Sequence, residues 1–282
     1  MFARRSITHR FLACGAQTRI VEADGRVSWT YPLGTRDGFV LPGGNLLLAI
    51  TRGQAGFPKG GVREITPEGK VVLEVQGTQD EVDTADRLPD GSTVFTEAGP
   101  NPRLVVVDRR GREVGGFALS SQRGNTHMQQ RMTRHQTNGN FIVPHLLDRI
   151  IREYTPDGNC VWEAKTPNMP FTAIRLPNNH ILAGCTHGNL VVELDRRGRI
   201  VWSLENKDLP SPTLKDCCGV QWLPSGNIVV TSYATGRGEV KLQEITRDKQ
   251  VVWSHTDQNP FGIHHFQILD TNGVPLAGRA RK

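Results

Sequence analysis

The chain lacks any apolar run approaching the ~20 residues of a membrane span, so no membrane-spanning helix is expected. A sustained 3.6-residue apolar period is also missing, which excludes a helical domain. The paired Cys-x-x-Cys spacing of zinc sites is absent: Cys14, Cys160, Cys185, Cys217 and Cys218 form an odd set. Cys14 and Cys185 read as small buried hydrophobes at equivalent strand positions, and only the vicinal pair Cys217-Cys218 stands where chemistry could use it. There is no basic stripe interleaved with aromatics. The net charge of +6 is scattered over turns such as Arg109-Arg110 and Arg196-Arg197, so no nucleic-acid partner is expected. At the start, a twin arginine (Arg4-Arg5) precedes an apolar stretch of only Phe11 to Ala16, shorter than the ~7–15 residues of a signal core. As it stands the chain reads as cytoplasmic, or as periplasmic if a leader has been removed.

What the sequence has in abundance is turns. Six times a short apolar strand runs into a Leu-Pro-Asn-Gly-Asn-like turn and out into a second strand, as in GFVLPGGNLLLAI from Gly38, ADRLPDGSTVFTE from Ala85, AIRLPNNHILAGC from Ala173 and VQWLPSGNIVVTS from Val220. The third copy, RHQTNGNFIVPH from Arg134, and the sixth, FQILDTNGVPLAG from Phe266, are looser. Between them lie second hairpins such as RIIREYTPDGNCVWEA from Arg149 and LVVELDRRGRIVWSL from Leu190. Glycine supplies the positive φ that tight hairpins need, and apolar residues alternate with polar ones at the period of a strand. Two hairpins make a four-stranded unit of roughly 45 residues, the length of a propeller blade. The fold class is therefore all-β, a six-bladed β-propeller.

The ends predict how the ring closes. RFLACGA from Arg10 matches ILAGC from Ile181 as a second strand, so the first blade has no first strand of its own. GIHHFQIL from Gly262 supplies it, pairing the N- and C-terminal segments in one blade and removing exposed edges. The expectation is a single domain over 1–282, with about 10–270 forming the closed ring and the tails outside it.

In a propeller the first strand of each blade lines the central channel, and the residues that enter it gather at one mouth. Counting back from each turn gives Thr35, Arg36 and Asp37, then Asp83 and Thr84, Phe171 and Thr172, Cys217 and Cys218, and His264 and His265. The third copy is extended before its turn and brings His127, Gln129, Arg131, Arg134 and His135. The third and sixth blades are opposite, so His127 is expected to face His264 and His265 across the channel. Histidines supply acid and base groups near neutral pH, and arginines hold an anion. His127, His264, His265 and Arg131 are accordingly the candidate catalytic residues. Arg36, Asp37, Asp83, Thr172, Cys218 and Trp222 are the candidate ligand contacts, Trp222 because it alone among the tryptophans falls on an inner strand. The three histidines are also the candidate ligands of a divalent metal, and no other cofactor is indicated. Trp29, Trp162, Trp202 and Trp253 recur blade after blade, the mark of packing between sheets.

The combination of Leu-Pro-x-Gly-Asn with Val-x-Glu-Ile and Val-Val-Trp resembles the pyrroloquinoline-quinone-like and arylsulfotransferase-like propeller repeats, over essentially the whole chain. The resemblance implies the propeller fold. It also implies chemistry at channel histidines assisted by arginine, although quinone enzymes of this type normally have eight blades and the sulfotransferases carry an added N-terminal domain. Propeller lyases that combine a histidine base with a metal are similar in architecture. The resulting expectation is an enzyme of lyase or hydrolase type that binds a small carbohydrate-like or anionic molecule at the channel mouth. The alternatives are a noncatalytic scaffold for a protein partner and arylsulfotransferase-like group transfer.

Overall fold

The computed structural model describes residues 6–122, 124–211 and 213–282; the twin arginine at 4 and 5 lies outside them. Five four-stranded antiparallel sheets and one of five strands make six blades, the fifth strand being the short Val274–Pro275. Blades 1 to 5 each run outward in chain order from an innermost strand, and these strands are Thr35–Val40, Glu81–Arg87, Arg134–His135, Pro170–Arg175 and Val220–Trp222. Blade 6 is composite. Its innermost strand, His265–Thr271, comes from the end of the chain and pairs with His9–Cys14, followed by Thr18–Val21 and Val27–Tyr31. The predicted closure is what the structure shows. Among the described residues the helical turns are two single 3₁₀ turns, Thr126–Met128 and Asn206–Asp208.

The repeated motif has a concrete job between blades. In the third strand of blades 1, 3, 4 and 5 a buried glutamate recurs one place before an apolar residue that ends the strand: Glu64, Glu153, Glu193 and Glu244. Each accepts hydrogen bonds from the Asn or His of its own Leu-Pro-type turn, as Asn45 to Glu64 (2.7 Å) or Asn227 to Glu244 (2.6 Å). Each also takes a cation or imidazole from the next blade: Arg87 to Glu64, Arg175 to Glu153 (2.6 Å), Arg247 to Glu193, and His9 to Glu244 (2.6 Å). A carboxylate buried between two sheets is tolerated because both of its oxygens are hydrogen-bonded. The tryptophans add a second latch, for Trp29, Trp162 and Trp202 donate their indole N–H to the carbonyls of Pro67, Arg196 and Arg247 in the next blade. These contacts are why Asn, Glu and Trp recur at fixed offsets.

The residues after about 270, expected outside the ring, turn back into it. Past the short strand Val274–Pro275 the chain crosses one end of the channel, where Trp222 N–H donates to the Arg281 carbonyl (2.9 Å). Arg279 pairs with Asp86, and Lys282 is fully buried with its Nζ 2.9 Å from Asp37. Two carboxylates on inner strands, Asp86 and Asp37, draw the two cations inward, the second of them shared with Arg134.

Candidate functional site

Counting back five residues from the residue that opens each Leu-Pro-type turn gives one position per blade: Arg36, Asp83, Arg131, Phe171, Cys218 and His264. The structure gathers most of this set at the mouth where the inner strands begin. Arg131 Nη1 donates to Asp83 Oδ1 (2.8 Å) and its other nitrogen to the His127 carbonyl. Arg36 reaches Glu81 Oε2 at 3.1 Å, and its Nε lies 3.8 Å from Asp83. Phe171 packs edge-on against His264 (centroids 4.7 Å apart), Tyr233 does so from another side (4.6 Å), and the Arg131 guanidinium sits 5.8 Å from the Phe171 ring centre.

His127 owes its place to the extended segment before blade 3. Asn125 caps the short 3₁₀ turn by accepting from the His127 N–H (3.1 Å), and the Gln129 side chain clamps both the N–H and the carbonyl of Gly99. The imidazole then meets Glu81, with Nδ1 2.9 Å from Oε1. The Nδ1 contact orients the ring and leaves Nε2 free of this carboxylate. The His127 side chain is 42% exposed while Glu81 is wholly buried, so the pair stands at the open surface with its carboxylate in the wall.

The two acids of blade 2 are driven apart. Burial pushes Glu81 upward, but the His127 hydrogen bond and the charges of Arg131 and Arg36 more than offset it and hold it at about 2. Asp83 is buried without an imidazole partner; desolvation, reinforced by the charge of Glu81, overrides Arg131 and lifts it to about 8. One carboxylate is thus ionised and the other protonated at neutral pH, the division of labour acid–base sites use. Burial, and then the neighbouring Arg36 and Arg131, keep His264 well below its ordinary value and hence neutral. Its Nδ1, the Nε atoms of Arg36 and Arg131 and the Gln130 Oε1 are buried without a hydrogen-bond partner. Such unmet polar atoms gathered at one mouth are expensive unless a ligand or water satisfies them.

Several expected residues go elsewhere. His264 and His265 are adjacent on the chain and point to different layers: His265 lies deeper, its Nδ1 3.6 Å from Asp37 and 3.3 Å from Lys282. Asp37 is not free for a ligand, since it accepts from Lys282, from two nitrogens of Arg134 and from Thr84 (2.8–3.1 Å). Thr172 donates to the Cys218 carbonyl (2.6 Å). Cys218 is a free thiol pushed up to about 12 by burial, which makes it inert rather than nucleophilic. Trp222 ends its strand and lines the opposite end of the channel. The three histidines do not converge, and no group of three metal-ligating side chains stands together among the described residues. Sequence counting missed Glu81, Tyr233 and Arg52, whose Nε lies 3.8 Å from Glu81 Oε2. Glu81 falls seven places before its turn and was within reach of the same count, whereas Arg52 and Tyr233 come from loops at the far ends of second strands.

Gly262 holds the rim together. A Cβ there would sit 1.8 Å from the Tyr233 carbonyl oxygen, so Gly262→Ala must push the Tyr233 backbone away and loosen both Tyr233 and His264. A loss near the top of the ~1–3 kcal/mol range for overpacking is expected in urea unfolding, against ~0.5 kcal/mol or less for Gly43→Ala, where a Cβ meets open space.

Among solved structures the chain is similar to a protein of unknown function from Bacteroides caccae, at 21% identity over 92% of this chain and 98% of that one, with a TM-score of 0.80. It is also similar to a streptogramin B lyase (12% identity, 91% and 86% covered, TM-score 0.63). A third similar structure is a catalytically inactive histidine-to-alanine variant of virginiamycin B lyase from Staphylococcus aureus with quinupristin (13%, 94% and 91%, TM-score 0.62). No described sequence family and no curated protein matches the chain. At these identities the likeness speaks to architecture, and it agrees with the strand order: the chain folds as a six-bladed β-propeller.

Proposed function

We propose that the mouth bounded by Glu81, Asp83, His127, Arg36, Arg131 and Tyr233 is the active site of a lyase-type enzyme acting on a small carbohydrate-like molecule with a carboxylate or carbonyl group. The observation that carries this reading is the Glu81–His127 pair at an open surface beside two buried guanidinium groups with unmet donors. His127 Nε2 takes the proton from the carbon next to the carbonyl. The electron pair left behind forms a carbon–carbon double bond as the bond to the β-oxygen breaks, and the leaving oxygen departs with a proton from solvent or from protonated Asp83. Charge developing on the carbonyl oxygen faces Arg36 and Arg131. Hydrolysis would use the same base to activate water. Lyases are found among solved propellers of this shape, which adds support from architecture alone.

Group transfer to a histidine, the arylsulfotransferase-like alternative, asks for an accessible imidazole beside arginine; His127 meets that demand as well, whereas His264 is only partly exposed between Phe171 and Tyr233. A scaffold is less favoured: exposed apolar residues such as Val71, Val114, Val161, Ile200 and Val252 are spread over the outer strands of five blades, not gathered in one patch. The test is a panel of uronates, uronic-acid disaccharides and lactones, read by the ultraviolet absorbance of the new double bond. His127→Ala is expected to cut turnover by about 10²–10⁴-fold, the usual worth of a general base, and His264→Ala to weaken binding. Unchanged affinity and turnover in both variants would remove the site assignment.

A further inference from the structure

The far end of the channel holds a cavity of about 910 Å³, within the size range of small-molecule sites and away from His127 and Glu81. Its walls are apolar in a particular way. The prolines of three Leu-Pro turns, Pro42, Pro177 and Pro224, converge there from blades 1, 4 and 5, with Leu276 of the returning tail and the indole of Trp222. Trp222 is unlike Trp29, Trp162 and Trp202, whose N–H groups are spent on the neighbouring blade: its own has no partner among the described residues.

The charges around this cavity are unequal. Arg10 is matched by Glu22 (3.1 Å), Arg87 by Glu64 and Arg279 by Asp86. The Arg281 guanidinium has no carboxylate partner among the described residues. The main chain of Arg281 is hydrogen-bonded to that of Trp222, so a flat apolar surface and an uncompensated cation are held at adjacent positions by backbone geometry. We infer that this cavity is a second ligand site, taking a small aromatic monoanion whose ring packs on Trp222 between the turn prolines and whose carboxylate meets Arg281. The inference is independent of the chemistry proposed for the other mouth.

2-Naphthoate is the probe, titrated calorimetrically into the full chain, with 2-naphthalenemethanol as its uncharged counterpart. Saturable one-to-one binding is expected, at least tenfold weaker for the alcohol. Arg281→Gln and Trp222→Leu should each weaken naphthoate binding at least tenfold, and His127→Ala should leave it unchanged. Arg281 is exposed, so its variant decides the matter even if Trp222→Leu folds poorly. Absence of saturable binding, equal affinity in Arg281→Gln, or loss of binding in His127→Ala would each overturn the assignment.

Discussion

Asp37→Asn should lower the unfolding free energy by about 3–5 kcal/mol, the cost of removing one member of a buried ion cluster. Asp37 is fully buried at the axis of the ring. Burial alone would raise it, yet the charges of Arg134 and Lys282 hold it well below the carboxylate range, so it is ionised and faces two cations that are themselves buried. Asparagine keeps the shape and removes the charge, leaving Arg134 and Lys282 facing each other without an anion. For a chain of this size the melting temperature should fall by roughly 5–8 degrees. The double variant Asp37→Asn/Lys282→Met should recover at least half of the loss, because one of the stranded cations leaves with it. The same experiment separates the two layers of the channel. Assigned to the frame, Asp37 should cost stability while the remaining folded protein keeps its affinity for a mouth ligand. A variant as stable as the parent but unable to bind would return Asp37 to the site.

The fold was legible because each blade must solve the same problem. A turn needs Gly or Asn at its tip, a strand needs alternation, and a sheet packed on another needs the Asn–Glu–Arg and Trp–carbonyl latches that recur at Glu153 and Trp162 or at Glu193 and Trp202. Repetition makes such demands visible in a single sequence. The candidate site was legible only by position. Counting back from the turns found Arg36, Asp83, Arg131 and His264, since register along the inner strand is fixed by the hairpin that ends it. The same count could not separate His264 from His265, because neighbouring strand residues face different surroundings and both are histidine. Nor could it see that Asp37 is already satisfied by Lys282, 245 residues away, as that pairing depends on the path of the tail after the last turn. Trp222 was singled out for a ligand and sits by a cavity, but at the opposite end: a residue that ends an inner strand and one that begins it share a strand and not a mouth.

Stability should fall as the solution is acidified from pH 7 to pH 5, and the responsible groups are buried histidines rather than surface carboxylates. His145 has its Nδ1 2.7 Å from the Ser121 hydroxyl and its Nε2 3.1 Å from that of Tyr154, with Arg152 close enough to repel a proton. Burial, with that repulsion, lowers it to about 3. A histidine lowered in the folded state is protonated first in the unfolded chain, so the unfolded state binds more protons below about pH 6.5 and folding is opposed as pH falls. For His145 alone this amounts to about 2 kcal/mol between pH 6.5 and 5. His264 and His265, both lowered by burial, act in the same direction. Asp83 acts in the other. Raised to about 8, it binds its proton more tightly when folded, and its contribution grows as pH drops from 8 towards 4, offsetting about one histidine over this interval. Two variants should therefore change the slope in opposite senses. His145→Gln should flatten the loss of urea-unfolding free energy with acidification, and Asp83→Asn, which removes the opposing group, should steepen it. A parent protein equally stable at pH 7 and 5, with both variants parallel to it, would mean that the channel histidines take up protons in place and that the mouth is wetter than its packing implies.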